Sequence, residues 1–531
     1  MLNGRETEKL LEQYPQYRDA MFCRGYLLTT DAQVRGEAYP FYGKWKALDI
    51  RNFRLWIHPY QDYTLVRKEN ADFLLIGHAY DPFHMVAQEE QLLETCAQGY
   101  PKGETAFFDC INDWTGIFAL FVFDDTGVLA VQDCAGIKGV YYGTVNGETV
   151  LTSHPQLVAD LYDLARDPFV QKLVTNRFYN IGNRYLPGDI SPYPPLKRIG
   201  ANVYLKACDG AFSVHRFFPT EPHPEYTSSE DYDKAIQKAY EILHNGIDLV
   251  SQKWKDGYIS LSVGTDSKTT LACANGLYDR FGYFSFQSKD TEIVDSEAAH
   301  RICEKLGLDH KIYKIPSENA EVEDFDVLKE IIEHSSGYIR SLSDNEIRKH
   351  IYFYRRNEIG VEVKSWISEI VRVFFDRKYG IKMPEKLTPR HFSIFQTRYF
   401  LSPSLLKKSD KIYREYMQKF DLASPKFNYE HTDLYYWEVR MSNWGMMVTT
   451  SLDICHRITF PFNNRRLMVL LLSLPREKRV TDEVHSDIIR LANPTIYETH
   501  EHVQNKYFKS KRILLEKVYY KYRTIFYKDR G

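Results

Sequence analysis

The run from Tyr258 to Gly276 constrains this chain more than any other stretch of it. Its apolar, β-prone first part ends at Val263, a glycine follows, and Asp266 and Ser267 stand where a helix through Leu271 and Ala274 begins. Strand, tight turn and helix in that order belong to an α/β domain. A helix start presents unpaired backbone N–H groups and the positive end of the macrodipole. It therefore suits an anion, worth about 0.3–1 kcal/mol per charge at an exposed site. Ser262 and Ser267 add hydroxyls, Gly264 allows close approach of backbone to a ligand, and Asp266 is a candidate ligand for a divalent metal.

The flanks extend the pattern. Ser228 caps a long amphipathic helix to about Trp254 that leads into the loop. Beyond it, Tyr283–Gln287 reads as a second buried strand, Asp295–Gly307 as a helix capped at Asp295, and His310–Ile315 as a third strand. Strands and helices alternating at this spacing predict a parallel sheet with ligands at the carboxyl ends of its strands. The amino-terminal half is different. After a polar helical opening over Glu6–Tyr17, apolar segments at Phe53–Ile57, Phe73–Tyr80, Trp114–Asp125, Val128–Asp133, Gly139–Gly143 and Thr149–Thr152 predict an antiparallel meander. Helices are expected near 155–180, and prolines at 219, 222 and 224 mark a boundary.

At 531 residues the chain has room for two or three domains. A formal net charge of −2 argues against a broad nucleic-acid-binding face, and no apolar run is long enough to cross a membrane. The opening residues lack a signal-peptide core, so a cytoplasmic enzyme is expected. The eight cysteines stand singly, without the close pairs of zinc or redox sites, and read as reduced packing residues.

The pattern Ser262-x-Gly264-x-Asp266-Ser267 resembles the pyrophosphate loop of the ATP pyrophosphatases, with Val263 in place of a glycine. The order of Gly116 to Leu120, Asp124, Gln132-Asp133, Gly136 to Tyr142, Thr152 to His154, Leu186 to Gly188 and Gly200 resembles the glutamine amidotransferase domain of asparagine synthetases. Residues 230–510 are similar to that family's synthetase domain. Val361–Phe375 falls where the family has Gly-x-Gly-Ala-Asp-Glu: Glu369 matches the glutamate, and Ser368 stands in place of the metal-binding aspartate. Trp444–Met447 and Ser451–Asn463 are similar to a later segment, with Asn463 near its aspartate. Lys506 is the candidate for the family's pyrophosphate-contacting lysine, with Lys478 and Lys509 as competitors.

The resemblance implies an Ntn-type α+β sandwich over 1–222. After it, over 223–531, come a parallel-sheet α/β synthetase domain like that of the adenine nucleotide alpha hydrolases and a helical carboxyl-terminal part. It also implies ATP and Mg²⁺ as cofactors, and amide formation from a carboxylate activated as its acyl-adenylate with release of pyrophosphate. Ser262, Gly264, Thr265, Asp266, Ser267 and Phe286 would bind nucleotide, and Asp266 the metal. Glu369, Lys506 and Arg372 would serve catalysis, Glu369 as general base and Arg372 as an anion binder; the other reading of Glu369 is a helix residue in a salt bridge. His456 and His310 read as core histidines.

The family's glutaminase needs a cysteine at the amino terminus, and residue 2 here is Leu. Cys23 would serve only after removal of 22 residues; otherwise it reads as a buried strand residue. Glutaminase activity is therefore expected to be lost. The nitrogen would come from ammonia or an amine, as in the related β-lactam synthetases, with a small-molecule or peptide carboxylate as acceptor. The setting would be bacterial secondary-metabolite, peptide or polysaccharide biosynthesis. The alternatives are a catalytically degenerate member that binds nucleotide or a partner, and glutamine-dependent transfer.

Overall fold

The computed structural model describes residues 1–396, 402–499 and 510–526. Two six-stranded antiparallel sheets occupy the amino-terminal part. The first runs in the order 196–198, 141–145, 148–152, 26–29, 53–57, 46–50, and the second 211–216, 203–208, 127–132, 115–124, 72–80, 63–67. Alternate residues of each strand point to opposite faces. Leu28, Leu55 and Ile57 of the first sheet share a core with Leu74, Ile76 and Phe121 of the second. The outer faces are covered as well. Phe73 and Leu75 pack with Leu92 and Phe107 of the helices Glu89–Gly99 and Glu104–Asn112. Leu27 and Trp56 pack with Leu11 and Leu157 of the helices Gly4–Gln13 and Pro155–Tyr162.

Helix, sheet, sheet, helix is thus the layer order, and it explains why the strand Asp72–Tyr80 is buried at every position. Its close pairing with Thr115–Asp124 requires glycine: a Cβ on Gly77 would lie 2.1 Å from the carbonyl oxygen of Ile117.

The second part holds a five-stranded sheet in the order 310–314, 282–287, 257–260, 361–363, 457–459, parallel throughout. The chain enters at the middle strand, Gly257–Ser260. The next two strands build outward on one side and the last two on the other, so the sheet's topological switch lies at the carboxyl end of Gly257–Ser260. The expected fold class, an antiparallel sandwich followed by a parallel-sheet α/β unit and a helical carboxyl-terminal part, is the one observed.

Three local readings change. The helix expected from Asp295 begins at Asp290, because the Ser288 N–H and hydroxyl both bond Glu292 Oε2, at 2.8 and 2.7 Å, and fix the entry a turn earlier. Cys23 lies in a buried turn ahead of the strand Tyr26–Thr29. Glu369 belongs to a single 3₁₀ turn, Ser368–Val371, and among the described residues no salt bridge holds it. In the core, Tyr185 and Tyr435 meet hydroxyl to hydroxyl at 2.9 Å, and Tyr435 also donates to the Phe392 carbonyl at 3.2 Å.

The two parts meet across a buried polar seam. Arg216 holds Glu438 through two parallel bonds of 2.8 and 2.7 Å. Asn463 accepts from the Ala135 N–H at 2.9 Å and donates to Asp133 Oδ1 at 2.9 Å, so it ties the seam rather than facing a ligand. Asp133 is fully buried, and burial raises its pKa against the pull of the Ile137 and Lys138 N–H groups and Asn463. Replacing Asn463 with Leu strips that carboxylate and a buried N–H of partners, and is expected to cost about 2–4 kcal/mol in urea unfolding. A midpoint unchanged from the parent would show that the seam does not contribute.

Candidate functional site

At the switch point the strand Gly257–Ser260 gives way to the loop 261–264 and the helix Thr265–Cys273. The loop is closed by its own hydroxyls. Ser267 Oγ donates to the Ser262 carbonyl at 2.5 Å and accepts from the Ser262 N–H at 3.2 Å, while the Gly264 N–H donates to Ser262 Oγ at 3.2 Å. Val263 turns into the core, only 3% exposed, so the residue that departs from the loop pattern stays clear of the ligand side. Gly264 has an ordinary extended backbone, φ −63° and ψ 149°, and is needed only for space, since a Cβ would meet Ser262 Oγ at 3.2 Å.

A cleft of about 330 Å³ opens above this loop. Ser262, Gly264, Asp266 and Ser267 form its floor, Phe286 and Trp366 stand in its walls, and Glu369 lines it too. Trp366 is braced by stacking on Trp444 and Phe460 at ring distances of 5.7 and 5.8 Å. The Lys349 ammonium sits 4.5 Å from the centre of the Phe286 ring. Lys364, whose charge is met by Glu362, lines the cleft. Of the expected site residues, Ser262, Gly264, Asp266, Ser267, Phe286 and Glu369 are therefore brought together. Thr265 is the first residue of the helix, and Lys506 lies outside the described residues, as does Lys509. Lys478 is paired with Glu483.

Arg372 takes a role the sequence did not suggest. Its Nη1 donates to Asp266 Oδ1 at 2.8 Å and Oδ2 at 2.7 Å, and its Nε and Nη2 donate to Asp482 Oδ1 and Oδ2 at 2.7 and 2.6 Å. Ser368 Oγ donates to Asp266 Oδ1 at 2.6 Å, and Arg377 reaches Asp482 from the other side at 2.6 and 3.0 Å. Burial would raise the Asp482 pKa, but the two guanidinium groups hold it below the usual carboxylate range.

The donor set does not suit Mg²⁺. Both oxygens of the intended ligand, Asp266, already accept from a guanidinium. A divalent ion about 4 Å from that group meets a repulsion of about 8 kcal/mol at an effective dielectric of 20. Asp266, the residue expected to hold the metal, is thus engaged in an ion pair, and Arg372 is held by a carboxylate on either side. Asp482 and Arg377 went unrecognised in the sequence, because no local pattern marks an ion pair between residues more than 100 positions apart; Trp366 was missed because its role rests on stacking with Trp444 and Phe460, remote in sequence.

Glu369 is pushed up to about 7, first by burial and then by the neighbouring Asp266 charge, against the pull of Arg372. His310 is held down at about 4 by burial and accepts or donates to Ser285 Oγ at 2.9 Å, a satisfied core histidine. His456 bonds Glu362 Oε2 at 2.8 Å in the same manner. Burial pushes the Cys23 thiol up to about 12, and its Sγ donates to the Asp453 carbonyl at 3.3 Å. Close by, Arg24, Gln61, His78, Lys138 and Asp453 line a space of only about 40 Å³.

No family model matches the chain, and no curated protein matches it. Solved structures align with much of it, among them two of similar coverage. One is glutamine phosphoribosylpyrophosphate amidotransferase from B. subtilis complexed with ADP and GMP, at 9% identity over 76% of each chain. The other is described as the allosteric regulatory enzyme of purine biosynthesis, at 12% identity over 80% of this chain and 88% of that one. Both have a TM-score of 0.23, too low to carry any argument about this protein.

The raised Glu369 pKa has a stability consequence. The folded state holds this proton more tightly than the unfolded chain, so its contribution is full below the ordinary glutamate pKa and is lost as pH rises through about 7. Glu369→Gln is therefore expected to match the parent at pH 4 and to be more stable at pH 8.5. The expected gain is about 1–2 kcal/mol, allowing for the carboxyl's partial exposure to the cleft. Denaturation at the two pH values reads the difference, and equal stability at both would remove the assignment.

Proposed function

We propose that the cleft binds an adenine nucleotide and that the protein is an ATP-dependent carbon–nitrogen ligase of the asparagine synthetase-like kind. The observation that carries the reading is the position of the cleft, at the switch point of a parallel sheet over a hydroxyl-rich helix start, with aromatic walls and an acid–base group on one side. In this reading the N–H groups of the loop and helix start hold the phosphates, and Phe286 and Trp366 bound the space for a flat base.

The substrate carboxylate attacks the α-phosphorus, its O–P bond forming as the bond to pyrophosphate breaks. An amine or ammonia then attacks the acyl carbon. The new C–N bond replaces the C–O bond to AMP, and the nitrogen gives up a proton. Glu369, poised near 7 on the cleft wall, is suited to accept it. A small-molecule or peptide carboxylate fits the open, polar mouth. Cys23, in its buried turn, takes no part, so the nitrogen comes from ammonia or an amine.

The Asp266–Arg372 pair favours a second reading, a protein that binds nucleotide without turning it over. Pyrophosphate–ATP exchange across a panel of carboxylic acids separates the two. Acid-dependent exchange is the expected result; ATP binding with no exchange for any acid would select the second reading. Phe286→Ala is expected to weaken ATP binding about tenfold through loss of base stacking, measured by calorimetry. An unchanged affinity would place the base elsewhere. Cys23→Ala is expected to leave ammonia-dependent turnover unaltered, and loss of turnover in that variant would reopen a thiol mechanism.

A further inference from the structure

We infer that the phosphate loop carries its counter-cation within the protein, as the Arg372 guanidinium, and takes polyphosphate without a divalent metal ion. The phosphate half of this statement rests on the nucleotide reading above; the metal half does not.

Two aspartates and two arginines meet at the loop, and their charges balance. Asp266 receives Arg372 on both oxygens and Ser368 on one, while Asp482 receives Arg372 and Arg377 as parallel pairs of bonds. His485 is buried beside them, its Nε2 3.9 Å from Asp266 Oδ1, and adds no carboxylate to the cluster. A metal ion at Asp266 would stand against the Arg372 guanidinium, and Ser368 offers it a hydroxyl rather than a carboxylate.

The guanidinium is fixed by the two carboxylates, one of them Asp266 in the first turn of the helix that starts at Thr265. It is planar, permanently charged and already ordered, which is the preparation an oxyanion site needs. A neutral cluster containing a fixed cation is also a better neighbour for polyphosphate than a bare aspartate would be. Arg372 thus does two things at once, blocking the metal position and supplying positive charge beside the phosphates.

The test uses the full chain with Mn²⁺ alone, read by electron paramagnetic resonance, and with ATP in EDTA or in excess Mg²⁺, read by calorimetry. The parent is expected to bind no Mn²⁺ below millimolar concentrations, and to bind ATP with affinities within about threefold in the two media. Arg372→Gln is expected to lose about tenfold or more in ATP affinity in EDTA and to gain a Mn²⁺ site that Asp266→Asn removes. Arg372→Lys, which keeps the charge, controls for folding and is expected to retain metal-independent ATP binding, with an unchanged circular dichroism spectrum.

Mn²⁺ bound by the parent and lost in Asp266→Asn would overturn the inference. So would an ATP affinity that rises more than about tenfold with Mg²⁺. If ATP binds in neither medium, the nucleotide reading falls, and the Mn²⁺ titrations alone then decide whether the guanidinium has replaced the metal.

Discussion

The contact between Arg372 and its two aspartates fixes three segments that are remote in sequence. Asp266 belongs to the helix after the middle strand, Arg372 to the turn after Val361–Val363, and Asp482 to the residue before the helix Glu483–Ala492. Of the three residues, Asp266 lines the cleft. Breaking a buried pair by removing one partner typically costs about 3–5 kcal/mol, because it leaves an uncompensated charge. This cluster is only partly buried and costs less to break, yet the loss of Arg372 would leave two carboxylates facing each other. The same interaction therefore orders the floor of the site and sets its charge.

The sandwich and the parallel sheet are joined by the same kind of contact. Asn463 follows the last parallel strand and reaches the Ala135 N–H and the Asp133 carboxylate, while Glu438 receives Arg216 at the end of the last antiparallel strand. Apolar packing along this boundary tolerates sliding, whereas paired polar groups with fixed bond directions do not. Held in one register, the two parts leave the carboxyl ends of the parallel strands open where the loop lies.

Much of the architecture was legible in the sequence because it rests on local signals. The strand–glycine–helix run and the Ser228 cap each act within a few residues, and each forms where its residues indicate. The start of the helix at Asp290 escaped notice because Ser288 and Glu292 are four apart rather than the usual three of a capping box. Cys23 looked like a strand because its neighbours are apolar, but Phe22 and Arg24 both adopt positive φ, at 49° and 56°, and bend the chain into a buried turn. In the site, the aromatic wall at Phe286 and the acid at Glu369 could be placed from the motif register. The partner of Asp266 could not, because an ion pair across the fold leaves no trace in spacing.

The two departures from the expected loop chemistry have different weight. Val263 replaces a glycine, yet its side chain enters the core and leaves the ligand face to Ser262, Gly264 and Ser267. It changes packing, not chemistry. Ser368 replaces an expected carboxylate, and its hydroxyl turns to Asp266 at 2.6 Å, beside the guanidinium. A carboxylate at 368 would compete with Asp266 and Asp482 for Arg372, whereas a short hydroxyl lets one arginine serve both. The hydroxyl at 368 and the guanidinium of Arg372 therefore act together on Asp266. With the hydroxyl at 368, the cluster of Asp266, Asp482, Arg372 and Arg377 is balanced in charge.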